Sequence, residues 1–157
     1  MRTLLWVGLV LTLIMQLMQP AAAKSKIYVV DGDSIFIGKR EIRLSGIDAP
    51  EYHQTCFDAK HREYACGVKS REYLVKLAGS DLHCDKITVD RYHREVADCY
   101  SNGKNINREM VAAGWAVAYT RYTKDYAAAE KSARRRKAGI WQGKFMQPEF
   151  YRILKKD

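Results

Sequence analysis

Three short stretches gather side chains that could do chemistry together: Val30-Asp31-Gly32-Asp33-Ser34, Arg43-Leu44-Ser45-Gly46-Ile47-Asp48-Ala49-Pro50-Glu51 and Asp90-Arg91-Tyr92-His93-Arg94. Asp33 and Asp48 offer hard carboxylate oxygens, the donors preferred by Ca²⁺, whose remaining positions are filled by backbone carbonyls and water. Glu51 follows Pro50, which holds Ala49 extended. A carboxylate beside a metal, but not bound to it, is a candidate general base for a water. Arg43 and Arg94 can grip phosphate oxygens two at a time and stay charged at any working pH. Acid, cation and paired arginines are what in-line attack on a phosphodiester requires, because negative charge gathers on the equatorial oxygens. Each feature alone has a plainer reading. Asp31-Gly32-Asp33 is an ordinary turn, arginines on strands pair with surface carboxylates for little gain, and Glu51 could cap an irregular segment.

These residues need strands and turns to hold them. Ile27–Val30 and Ser34–Ile37 are β-branched runs flanking the Asp31-Gly32-Asp33 turn, and Glu41–Ile47 alternates well enough for a third strand. Leu82–Asp90 and Arg94–Tyr100 predict a hairpin around Arg91-Tyr92, closed by Ser101-Asn102-Gly103. Helical spacing covers Val68–Ala78, Asn105–Ala113 and Asp125–Ala138, each followed by glycine. Asp125 is the expected N-cap of the third helix, and Arg134-Arg135-Arg136-Lys137 reads as its solvated, dipole-matched end. Five strands without βαβ alternation, plus three helices, predict an α+β domain built on a small barrel or sandwich.

Composition sets the frame. The chain has 157 residues, 47% of them hydrophobic and 29% charged, which excludes both a disordered tail and a multi-span membrane protein. Arg2, an apolar run from Leu4 to Met18 and Ala21-Ala22-Ala23 predict a secretory signal peptide over residues 1–23. The apolar run is too short for a comfortable membrane span, so cleavage is preferred to an anchor. The formal charge of +9, or +8 without Arg2, suits a nucleic-acid backbone and equally an anionic membrane surface. Export permits disulfides. Cys56, Cys66, Cys84 and Cys99 allow three connectivities, and local geometry favours 56–66 and 84–99, since a turn at Arg91-Tyr92 makes residues 84 and 99 direct cross-strand partners.

DGDS, RLSGIDAPE and DRYHR, followed by NGKNINREMVAAGWA, a tyrosine-rich stretch and ARRRKAGIW, come in the order and spacing of the staphylococcal nuclease (thermonuclease) family, which the chain resembles over about residues 27–141. The resemblance implies an OB-fold, a five-stranded barrel with packed helices, over a domain at 24–145 followed by a short tail at 146–157. It implies Ca²⁺-dependent hydrolysis of DNA and RNA with little sequence specificity, and the protein is expected to be a monomer. The bond to the 5′ oxygen would break, leaving 3′-phosphate ends. By position, Asp33, Asp48 and the Ala49 carbonyl would hold Ca²⁺, Glu51 would act as base, and Arg43 and Arg94 would hold the scissile phosphate. Arg91 and Tyr92 match positions near a terminal phosphate, and Tyr119 and Tyr122 match aromatics near the bound base. Stacking on such rings favours single strands. Ser34 stands where the family has Thr, Ala49 replaces a Thr, and His93 stands where Gly is usual. Gln54–Cys66 is expected to be a disulfide-pinned loop by the site. The alternative is a non-catalytic OB-fold nucleic-acid-binding module of the cell envelope, and a cationic membrane-binding protein is a third.

Overall fold

A computed structural model describes residues 25–155, so the expected signal peptide lies outside the described residues. The first strands are β1 (Ile27–Val29), β2 (Ser34–Ile37), β3 (Arg40–Leu44) and β4 (Ile47–Asp48). A small excursion of β5 (Cys56–Phe57) and β6 (Glu63–Tyr64) leads into α1 (Cys66–Leu77). The long hairpin β7 (His83–Val89) and β8 (Glu95–Ser101), then β9 (Lys104–Asn105), precede α2 (Ile106–Ala112). After β10 (Val117–Ala118) come α3 (Ala127–Arg135), a 3₁₀ turn at Gly139–Gln142 and α4 (Pro148–Leu154).

The principal sheet runs β1-β2-β3-β8-β7, antiparallel except for the parallel β3–β8 pair, with β9 attached to β8. This order, with two sequential hairpins joined through a parallel neighbour, is the strand order of an OB-fold. Its inward faces supply Val29, Ile35, Ile42, Leu44 and Ala97, which meet Leu74 of α1 and Ile106, Met110 and Val111 of α2 in one core. The five expected strands are those of the principal sheet, with one correction. The third run does not continue to Ile47 as a single strand: Gly46, at φ 68°, turns the chain after Leu44, and β4 leaves to pair with β10. That bend carries Asp48 toward the end of the sheet.

Both disulfides have the expected pairing, Cys56–Cys66 and Cys84–Cys99. Cys84 and Cys99 are direct partners in the β7–β8 register, which then shifts at a bulge between Lys86 and Thr88. The helices over 66–77 and 106–112 match expectation closely. Asn105 caps α2 by accepting the Arg108 N–H. The third helix is shorter than expected and Asp125 is not its cap; it begins after Tyr126 and has no side-chain cap. Its basic end is not merely solvated. Arg134 pairs with Glu130 and lies 4.2 Å over the Trp141 ring, and Arg136 donates to the Ala112 carbonyl at 2.6 Å. The segment after residue 145 contains a fourth helix, α4, where the sequence predicts only a tail.

Candidate active site

The site is assembled where β2 starts and β4 ends. Ser34 and Arg43 are direct partners across β2 and β3, so the residue before Ser34, Asp33, lies beside the Arg43 side chain. Asp48 is held by pairing with Val117 of β10. The Arg43 guanidinium then spans both acids: Nη1 donates to Asp33 Oδ1, and Nη2 to Asp48 Oδ1 at 2.8 Å. Asp33 also accepts the Ala49 N–H at 2.6 Å and the Ser34 hydroxyl at 3.1 Å. The hydroxyl that Ser34 shares with threonine is thus used on the site's acid.

Both carboxylates are almost wholly buried, Asp33 at 1% and Asp48 at 2% exposure. Burial pushes the Asp33 carboxyl well above the usual range, and Asp31 and Asp48 add to that rise against the lowering effect of Arg43 and the Ala49 N–H. Burial opposes the charge on Arg43 too, but Asp33 and Asp48 outweigh it and hold the guanidinium above its ordinary value. The pocket therefore keeps a guanidinium charged in a place that would otherwise repel both signs of charge.

Glu51 lies on the loop after β4 and is half-buried. Gln54 shapes this loop: its side-chain oxygen accepts the Glu51 N–H at 3.2 Å and its backbone N–H returns to the Glu51 carbonyl at 2.8 Å. Two glycines let α1 press against the site. A Cβ on Gly67 would meet the Glu51 carbonyl oxygen at 1.8 Å, and one on Gly32 would meet Ser70 Oγ at 1.9 Å.

The sequence does not single out Arg152 or Gln54, and both belong to this site. Arg152, on α4, places Nη1 2.8 Å from both Asp48 Oδ1 and Glu51 Oε1, and Nη2 3.1 Å from Asp48 Oδ2. Burial would lower its pKa, yet the bonds to Asp48 and Glu51 prevail and raise it. Pro148 at the first turn of α4 is a helix-start signal, but a run of seven residues gives too little periodicity to place in space. Gln54 is wholly buried and carries no signal of its own in a loop of mixed composition.

The other expected residues stand apart from this cluster. Arg94, just before β8, makes its side-chain ion pair with Asp90 at 2.8 Å, while Arg91 and Arg94 flank the exposed Tyr92 ring at 4.9 and 5.5 Å. His93 sits at φ 65°, the left-handed conformation that explains a preference for glycine there. Tyr119 and Tyr122 are adjacent rings, 5.2 Å apart, on the segment after β10. The Tyr119 hydroxyl donates to Glu149 of α4 at 3.3 Å, whereas Tyr122 is 80% exposed.

The oxygen donors fit a hard cation. Two carboxylates share one guanidinium, and the Ala49 carbonyl belongs to the same turn, a set suited to Ca²⁺ rather than to a thiolate- or imidazole-seeking metal. Among the described residues, no three His, Cys, Asp or Glu side chains are arranged to hold an ion, since Asp33, Asp48 and Glu51 are turned to arginines.

The family model described as staphylococcal nuclease homologue matches residues 41–143. The chain belongs to the staphylococcal nuclease family. It is 37% identical over 125 residues to the succinoglycan biosynthesis protein ExoI of Rhizobium meliloti, covering 77% of this chain and 64% of that one. It is 34% identical to the staphylococcal-like nuclease CAN1 of Arabidopsis thaliana over 69% of this chain and 32% of the relative. An uncharacterized endonuclease of Haemophilus influenzae is 35% identical over 72% of this chain and 62% of its own length. In each of these three relatives the match spans less than two thirds of the protein. Arg152 and the rest of α4 lie beyond the residues the family model matches.

Proposed function

We propose that this family member is a secreted, Ca²⁺-dependent nuclease that hydrolyses DNA and RNA with little sequence specificity and leaves 3′-phosphate ends. The observation that carries this reading is the buried Asp33–Arg43–Asp48 lattice with Glu51 at its edge, of which Arg43, Asp48 and Glu51 fall inside the region that the family model matches and Asp33 lies just ahead of it. Buried ionic clusters are poor devices for stability, because desolvation consumes most of their attraction. Such a cluster at the end of a sheet, with its acid and base pushed from their ordinary pKa values, marks a candidate site for chemistry.

Asp33, Asp48 and the Ala49 carbonyl would hold Ca²⁺, which when bound supplies Lewis-acid stabilisation of charge on a phosphate oxygen. Glu51 takes the proton from the attacking water. Arg43, charged and pre-aimed by its two acids, offers its guanidinium to the phosphate, and Arg94 provides a second from the β7–β8 turn. Arg91 and Tyr92 form a cationic, aromatic corner for a terminal phosphate. Tyr119 and Tyr122 present rings on which a base can stack, which favours single strands. The N-terminal segment supports export to the periplasm or beyond. Among the described residues, no helix is long and apolar enough to cross a membrane.

The test is to incubate the oxidatively folded protein with single-stranded DNA and RNA in Ca²⁺, and in parallel with excess chelator. The expected result is degradation that stops with chelator and yields 3′-phosphate ends. A folded protein that binds these strands and leaves them intact would instead establish the nucleic-acid-binding module.

A further inference from the structure

The helix α4 and the residues leading into it cross the candidate site and are fastened there by contacts independent of Arg152. Gln54 Nε2 donates to the Met146 carbonyl at 2.7 Å, and the Tyr151 hydroxyl to the His53 carbonyl at 3.3 Å. On the other flank, Glu149 takes the Tyr119 hydroxyl at 3.3 Å and pairs with Arg121 at 3.2 Å. One set of fastenings lies on the Glu51 loop, and the other on the segment after β10, the strand that clamps Asp48. Arg152 is therefore delivered between the two.

One nitrogen of Arg152 touches a carboxylate from each side. Nη1 lies 2.8 Å from Asp48 Oδ1 and 2.8 Å from Glu51 Oε1, so the spacing of the two acids is fixed by a single atom. Among the described residues, this is the hydrogen bond that the Glu51 carboxylate accepts. Without it, a side chain with three rotatable bonds is left to sample several rotamers, of which few can face a water beside Asp48. The contact does not saturate Asp48. A carboxylate has about four lone-pair sites, and Asp48 accepts three N–H groups, from Arg43 once and Arg152 twice.

We propose that Arg152 is a positioning residue of the nuclease site, delivered by α4 to hold the Glu51 carboxylate in register with Asp48. The assignment rests on the nuclease reading above. It predicts a loss in only one of two quantities that a packing defect would impair together. Removing the guanidinium frees Glu51 and slows turnover, while it also takes a positive charge from Asp48 and so eases Ca²⁺ binding.

The experiment compares wild type, R152A and R152K. Cleavage of single-stranded DNA is measured at saturating Ca²⁺, and without substrate the Ca²⁺ concentration for half-maximal thermal stabilisation is read. For R152A, kcat falls about 100-fold while KM moves less than about threefold. Its Ca²⁺ half-point stays put or drops, and R152K or added guanidinium ion recovers part of the rate. An unchanged or raised kcat in R152A would overturn the proposal, making Arg152 a bystander or an obstruction. So would a lower kcat that comes with lost Ca²⁺ stabilisation and no recovery by lysine or guanidinium, which marks a packing role. A wild-type protein that cuts nothing overturns the nuclease reading itself, and this assignment with it.

Discussion

Gly67 sets how closely α1 approaches Glu51. Its missing side chain leaves room for the Glu51 carbonyl, which a Cβ would meet at 1.8 Å. Gly67→Ala must move either the helix or the loop, costing about 1–3 kcal/mol. Urea unfolding will show that loss, and cleavage assays a larger proportional loss, since the displaced backbone carries the proposed base. Arg43 behaves differently. Its removal leaves Asp33 and Asp48, almost wholly buried, with fewer countercharges. Arg43→Ala should destabilise the protein by about 3–5 kcal/mol at neutral pH, the usual result of breaking a buried pair. Unfolding measured in chelator and again in Ca²⁺ should recover part of that loss with the ion, because a ligand bound by the native state alone stabilises it.

The elements divide the labour between holding the site and holding the fold. Cys56–Cys66 closes the β5–β6 excursion next to the Glu51–Gln54 loop, while Cys84–Cys99 staples the β7–β8 hairpin away from the acids. Each closes a short loop worth about 3 kcal/mol on chain-entropy grounds. A double alanine variant of either pair should therefore lose similar stability by denaturant titration, but only the 56/66 variant should also lose turnover at temperatures where both are folded. The hairpin pairing was legible in the sequence because strand register is a matter of counting from a turn, and the alternating burial along β3 follows from residue type. Three features were not. The break after Leu44 depends on Gly46 adopting a positive φ, and a glycine in a strand pattern does not announce a bend. The start of α3 follows its packing rather than the Asp125 cap that sequence favours. The site arginine on α4 depends on tertiary docking across a hundred residues, beyond the reach of any local period.

At the scale of the whole molecule, the core carries its own pH limit. Tyr126, 5% exposed, packs on the main core with its hydroxyl donating to Asp98 at 3.2 Å. Burial pushes its pKa up to about 12, with Asp98 adding to the rise. The unfolded phenol releases its proton near pH 10, so between about 10 and 12 the native state holds the proton more tightly. Stability is therefore whole below pH 10 and declines as pH rises through that window, by about 2 kcal/mol from this group. Tyr126→Phe should flatten the alkaline limb in denaturant titrations across that range while lowering stability at neutral pH through the lost bond. The connection from Arg152 to Asp48, across 104 positions of sequence, has a further consequence in time. A polypeptide grows from its N-terminus, and a chain halted before α4 already contains every strand of the principal sheet, both disulfide pairs, Asp33, Arg43 and Asp48. It lacks the arginine that orients Glu51. Truncated products of interrupted synthesis would then carry the acids without the contact that holds Glu51, and would cut slowly until α4 is in place.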